Sequence, residues 1–229
     1  MPTSRYERAA RKAGYQIIAG LDEAGRGALF GPVFAAAVVL DPDKPIRGLD
    51  DSKALQAERR EVLAGRIMER ARAWGVGAAD VFEIDRVNIY QASLLAMKRA
   101  LENLTAMLEG ACDYLLLDAV KLDVPIAQKP LIHGDARSFS IAAASILAKT
   151  RRDAALVAWD RVFPQYGFAS NKGYSTPDHL DALARLGPTM LHRFSFEPVR
   201  ATFRDSGHYP AWTGYPLEKP PQGELFACL

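Results

Sequence analysis

The sequence predicts an α/β fold, a mixed β-sheet flanked by α-helices. Two observations lead there. Apolar, strand-like runs come early, and from about residue 113 onward such runs alternate with helical stretches, the pattern of strands joined through helical crossovers. Carboxylates also sit where these runs end, at Asp22, Glu23, Asp118 and Asp135, the place where ligands bind in an open sheet.

Taken in order, residues 1–14 hold Arg5, Arg8, Arg11 and Lys12 against Glu7 and form a basic N-terminal arm of charge +3. Residues 15–21 alternate and contain Ile17 and Ile18, which reads as a first strand ending in a polar turn at 22–27. Gly31 and Pro32 punctuate, and 33–40 reads as a second, fully buried strand. A loop of Pro, Asp, Gly and Lys covers 41–54; Val62, Leu63 and Ile67 give helical spacing over 58–72, and 73–79 is a third strand. The stripe of Phe82, Ile89, Leu94, Leu95, Leu101, Leu104 and Leu108 predicts a helical stretch over 81–110, broken near Asn88.

Residues 113–118 (DYLLLD) and 130–133 are the expected fourth and fifth strands. Ser138 is a good N-cap for a helix that runs to Phe163 and stops at Pro164. A last short helix spans 178–186, closed by Gly187 and Pro188. Pro210, Pro216, Pro220 and Pro221 then mark 204–229 as a tail, which leaves 15–203 as the catalytic domain.

Composition excludes several classes. Among 229 residues, 49% are hydrophobic and 24% charged, so the chain can bury a real core and is not a disordered one. The longest apolar runs, 33–40 and 141–148, fall short of the roughly 20 residues of a bilayer helix. The charged N-terminus has no apolar signal region. Cys112 and Cys228 are too few for a disulfide scaffold or a cysteine zinc cluster. The expectation is a cytoplasmic monomer with no membrane partner. The net charge of +2 conceals a basic stretch of +4 over 136–174, and phosphates respond to such local fields.

Each acid taken singly reads as an ordinary turn residue. As a set of four on three strands they would repel one another unless a cation lay between them. Hard divalent ions take oxygen ligands, and a pair of them can activate water and stabilise the leaving oxygen of a phosphodiester. Two further elements stand beside the acids. Gly25, Arg26 and Gly27 form a turn whose backbone a ligand can approach closely. Tyr174, next to Lys172 and Gly173, has the form of a stacking aromatic beside a basic residue. Alone, each of these also reads as a plain loop.

Together these segments resemble bacterial ribonuclease HII. The matching stretches are IAGLDEAGRGALFGPVFAAAVVL (18–40), LDDSK (49–53), Asn88, Ile89 and Ala92, and YLLLD (114–118). They continue through HGDARSFSIAAASILAKTRRD (133–153), FPQYGFASNKGYSTPDH (163–179) and HRFSF (192–196), in unbroken order. The resemblance implies a ribonuclease H-like fold, a five-stranded mixed sheet flanked by helices with a helical C-terminal part. It implies that Asp22, Glu23, Asp118 and Asp135 hold two divalent metals, Mg²⁺ or Mn²⁺, and are catalytic. It implies that Gly25, Arg26 and Gly27 sense a ribonucleotide 2′-OH and that Tyr174 stacks on the sugar after it. Lys53 and Lys172 are expected on phosphates, with Lys149 and Arg151 as further candidates. His133, near Asp135, is read as structural.

The implied activity is endonucleolytic cleavage of the RNA strand of RNA/DNA hybrids, and incision 5′ to single ribonucleotides in duplex DNA, leaving 3′-OH and 5′-phosphate ends. The rivals are a junction-resolving nuclease of the same superfamily and a hybrid-binding module without catalysis. The chain departs from the family pattern at 28–30, where Ala28, Leu29 and Phe30 stand in place of the more frequent Pro-Leu-Ala, at Ala119 where glycine is frequent, and at Asn171 where histidine is frequent. In the tail, Gln222, Leu225 and Phe226 resemble the peptide with which bacterial proteins dock onto a sliding clamp.

Overall fold

The structure, a computed structural model, describes residues 2–204. The clamp-like peptide at 222–226 and the rest of the tail lie outside the described residues. Five strands form one mixed sheet in the order β3-β2-β1-β4-β5. They are β1 (Ile18–Ala24), β2 (Val33–Val39), β3 (Ala73–Ala79), β4 (Tyr114–Asp118) and β5 (Ala127–Leu131). β1 runs antiparallel to β2 and parallel to β4, and β4 runs parallel to β5.

Helices cover both faces. On one, α4 (Ile89–Thr105) packs Ala92, Ala96, Ala100 and Leu104 against Ala19, Leu21, Ala35, Leu115 and Leu117. On the other, α2 (Ala57–Arg70) and α5 (Phe139–Asp160) pack against Ala36 and Val38. Small residues let these layers close. A Cβ on Gly20 would stand 2.1 Å from the backbone of Ser140, so α5 rests almost directly on β1. Burying the apolar faces of the central strands supplies the main driving force, about 25 cal/mol per Å² of apolar surface removed from water.

The helix breaks fall where the sequence places them. α3 (Val81–Val87) is separated from α4 by Asn88, which takes a left-handed φ of 71° and accepts a hydrogen bond from the Gln91 N–H as N-cap. Ser138 caps α5, accepting from the Ile141 N–H. That helix ends at Asp160 rather than Phe163, because Pro164 opens a separate 3₁₀ turn (Pro164–Tyr166). Beyond it come α6 (Phe168–Asn171), α7 (Pro177–Leu186) and α8 (Glu197–Arg204).

Three boundaries differ from the sequence expectation. β1 continues through Asp22, Glu23 and Ala24, since β2 pairs with it as far as Ala24↔Phe34; the acids are part of the strand and the turn begins at Gly25. β5 lies at Ala127–Leu131, not at 130–133. As an edge strand with mostly exposed residues it shows no apolar signal, and it tolerates Pro130, which lacks a ladder donor. Asp135 therefore does not end a strand but sits in the turn before α5.

The N-terminal arm contains a helix, α1 (Arg5–Lys12), which docks onto the start of α5. Buried Glu7 accepts hydrogen bonds from Ser138 Oγ, Ser140 N and Ser140 Oγ at 2.6–2.9 Å. It thus adds a carboxylate cap beside the Ser138 hydroxyl at the N-terminus of the helix that follows Asp135.

Candidate active site

Strand parity and register decide which acids meet. The parallel ladder pairs Leu21 of β1 with Leu117 of β4, and the next residue on each strand is Asp22 and Asp118. Both alternate with residues that face α4, so both project toward α5. The turn ahead of α5 brings in the third acid. Gly134 N–H donates to Asp118 Oδ1 at 2.7 Å, and Asp135 follows directly. A Cβ at Gly134 would stand 2.7 Å from Ile141 Cδ1, so the turn and Ile141 pack closely here.

Asp22, Asp118 and Asp135 offer carboxylate oxygens that all lie within 4.8 Å of one another. Asp22 and Asp135 are buried. Burial, then the charges of Glu23 and Asp118, push the Asp22 carboxyl well above the usual carboxylate range. Burial, then Asp51, raises Asp135 as well. Glu23, the next residue on the strand, borders the cluster: its carboxylate feels the charges of Asp118 and Lys53 and lines the same cleft. It is held by Arg26 at 3.1 Å, and its Oε2 is buried with no hydrogen-bond partner. Burial, against the opposing pull of Arg26, raises its carboxyl too.

A cluster of hard oxygen donors, destabilised as anions by burial and mutual repulsion and bordered by an orphaned carboxylate oxygen, fits a divalent cation. Lys53 gives partial compensation. Burial disfavours its ammonium, but the fields of Asp135, Asp22, Asp51 and Asp118 outweigh that and raise it. The buried hydroxyls of Ser52 and Ser145, 2.8 Å apart, pin the Lys53 loop to α5, and Ser145 also hydrogen-bonds Asp22.

Beside the acids runs a cleft of about 540 Å³ whose lining includes Glu23, Gly25, Arg26, Gly27, Lys53 and Tyr174. Gly25 has φ +95°, and Arg26 and Gly27 are exposed. Lys149 also lines this cleft, with its ammonium 5.7 Å from the Tyr174 ring centroid and 2.7 Å from Asp153. Lys172 takes a left-handed φ of 52° and turns its ammonium to the carbonyl of Ala169. Arg151 points elsewhere, over Trp74 and onto Met68 Sδ. His133 is exposed at φ +54° in the turn before Asp135.

Several residues around the cleft were not singled out from sequence. Arg60 donates to the carbonyls of Ser52 and Leu55 and pairs with Asp153 at 3.3 Å, which fixes the loop carrying Lys53. His179 and His192 are fully buried, their Nε2 atoms 3.2 Å apart. Thr189 N–H donates to His192 Nδ1, so the proton of His192 is on Nε2 and is given to His179. His179 then carries its own proton on Nδ1 and donates to the carbonyl of Tyr174 at 2.8 Å. Burial, then His179, pushes His192 down to about 3, and burial also lowers His179. Both are neutral at pH 7. Nothing in a lone histidine at 179 or 192 signals this pairing.

A sheet of this order, with helices on both faces, is a ribonuclease H-like fold, and Asp22, Asp118 and Asp135 cluster at one end of its parallel pair of strands. The sequence model described as Ribonuclease HII matches residues 19–199. Proteins named ribonuclease HII are 54% identical over 96% of this chain and 90% of their own in Solibacter usitatus, and 57% over 86% and 76% in Koribacter versatilis. The chain belongs to the ribonuclease HII family and is thereby an enzyme, a metal-dependent endonuclease acting on RNA/DNA hybrids. Among solved structures, ribonuclease H2 from Pyrococcus horikoshii superposes with a TM-score of 0.66 at 23% identity, covering 83% of this chain and 98% of that one. A ribonuclease HIII, "Bst-RNase HIII in complex with Mn2+", reaches 0.69 at 22% identity over 86% and 72%. These two share the fold.

Proposed function

We propose that this chain incises duplex DNA 5′ to single embedded ribonucleotides, as well as cutting the RNA strand of longer hybrids, leaving 3′-OH and 5′-phosphate ends. The reading rests on one observation above all: the carboxylates of Asp22, Asp118 and Asp135 converge beside a cleft that also contains the exposed glycine turn and Tyr174.

Asp22, Asp118 and Asp135, with Glu23, would hold two divalent ions, Mg²⁺ or Mn²⁺. Such ions, when bound, supply Lewis acidity and a nucleophilic water for phosphodiester hydrolysis. The protein's own groups do the rest. The open backbone at Gly25, Arg26 and Gly27 hydrogen-bonds the 2′-OH, the group that distinguishes a ribonucleotide from its deoxy counterpart. The Tyr174 ring stacks on the sugar that follows and so registers the junction back to DNA. Lys53 and Lys172 position phosphates without reading bases. Residues 15–203 carry all of these groups and constitute the catalytic domain. The peptide at Gln222, Leu225 and Phe226 docks the enzyme on a sliding clamp; a solved ribonuclease HII from Archaeoglobus fulgidus is described in complex with PCNA.

The test is a labelled duplex carrying one ribonucleotide beside its all-DNA twin, each with Mg²⁺ and with Mn²⁺. A single cut 5′ to the ribonucleotide is expected, and because it leaves 3′-OH and 5′-phosphate ends a ligase should reseal the nick directly. Equal cutting of the all-DNA twin would refute the 2′-OH assignment.

A further inference from the structure

Arg152 and Arg193 are both fully buried, an unusual state for a guanidinium. Neither has a carboxylate at ion-pair distance among the described residues. Their hydrogen bonds go instead to main-chain carbonyls, and these belong to the two loops that line the cleft. Arg193 donates from Nε to Gly31 O at 2.9 Å and from Nη1 to Arg26 O at 2.8 Å. Arg152 donates from Nη1 to Lys172 O at 2.9 Å, and its guanidinium lies 5.3 Å from the Tyr174 ring centroid.

The two loops also touch each other and both arginines. Gly25 lies against Arg152 so closely that a Cβ there would be 1.9 Å from Nε. Leu29 N–H donates to Gly173 O at 2.7 Å, and Arg193 N–H to Leu29 O at 2.8 Å. Two buried cations whose nearest attractive carboxylates, Asp85 for Arg193 and Asp153 for Arg152, stand beyond ion-pair distance are costly, and an apolar filler would serve a purely packing role at least as well. An apolar residue cannot bind carbonyls through a planar, multidentate donor, as Arg152 does across the two loops (Lys172 O and, at 3.4 Å, Phe30 O) and Arg193 does at both ends of the glycine loop (Arg26 O and Gly31 O).

We propose that Arg152 and Arg193 are positioning residues for ribonucleotide recognition, a buried frame that sets the distance between the turn at Gly25, Arg26 and Gly27 and the Tyr174 ring. The inference rests on the reading that this turn senses the 2′-OH and that Tyr174 registers the junction. An embedded ribonucleotide presents one 2′-OH and one junction, so both loops must be in place together. A continuous RNA strand offers a 2′-OH at every register and tolerates a displaced loop.

The test compares kcat/KM on a single-ribonucleotide duplex with that on a long RNA/DNA hybrid, for the wild type, Arg152→Lys and Arg193→Lys. Both substitutions keep a long basic side chain and remove the planar fork. We expect the ratio of single-ribonucleotide to hybrid cleavage to fall at least about tenfold, mainly through kcat, with cuts spreading to neighbouring phosphodiesters. The ratio does not depend on how much enzyme is folded, so a destabilised variant still reports it. An equal fall on both substrates, or an unchanged ratio in both variants, would overturn the proposal. If the wild type itself cuts the single-ribonucleotide duplex no better than its all-DNA twin, the underlying reading of the site has failed instead.

Discussion

His179 and His192 face each other through their Nε2 atoms at 3.2 Å, and only one assignment of protons satisfies every bond they make. This neutral pair ends on the Tyr174 carbonyl, and the rings of Phe30, Tyr166 and Phe168 enclose it. Its folded-state affinity for protons is lower than in the unfolded chain. Stability from the pair is therefore complete above the ordinary histidine range near 6.5, and it is lost as pH falls from there toward about 3, the value of His192. Urea melts of the wild type and His192→Gln should diverge in pH dependence over that window, with the wild type losing a few kcal/mol more. Parallel curves would refute the neutral pair.

The acid cluster is a source of strain until a cation neutralises it. Asp22→Asn should cut hydrolysis by a factor on the order of 10³ while raising Tm in the presence of a chelator, because a repelled buried charge is gone. Activity assays and melts on the same preparation check both signs.

Divalent ions should stabilise the wild type through the same cluster. At a hundred times its Kd, a single bound ion adds about 2.7 kcal/mol. The corresponding rise in Tm with Mg²⁺ or Mn²⁺ should disappear in Asp22→Asn and persist in Lys172→Ala, as differential scanning fluorimetry would report.

Ala119 has φ +54° and is exposed. A side chain in the left-handed region costs roughly 1–2 kcal/mol, which glycine avoids at some entropic expense in the unfolded chain. Ala119→Gly should raise stability by up to about 1 kcal/mol with an unchanged denaturant slope.

Removing the Tyr174 ring should weaken single-ribonucleotide cleavage by the value of one stacking contact, about 1–3 kcal/mol, or roughly tenfold to a hundredfold. Tyr174→Phe should keep most of the activity and Tyr174→Ala should not, in steady-state assays on the same duplex.

Much of this was legible in one dimension. Alternation and helical spacing encode burial directly, so β2, β3, the break at Asn88 and the Ser138 cap follow from local pattern. β5 was misplaced because an exposed edge strand has no apolar face to display. The four acids stand out through their positions and through the family resemblance, but their grouping does not. Asp22 and Asp118 lie far apart in sequence and meet only through the parallel register of β1 with β4, and Asp135 joins them only through the turn before α5.

The sequence by itself determined the class of fold, the acids and the glycine turn, since these depend on residue type and on a period of two or 3.6. Only the tertiary structure decided that α1 caps α5 through Glu7, that two histidines share one proton path, and that Arg152 and Arg193 lie inside. Local pattern assigns charged side chains to solvent, because burying one is unfavourable. Arg152 and Arg193 are the exceptions here, and their buried donors meet carbonyls on loops that approach each other only once the chain has folded.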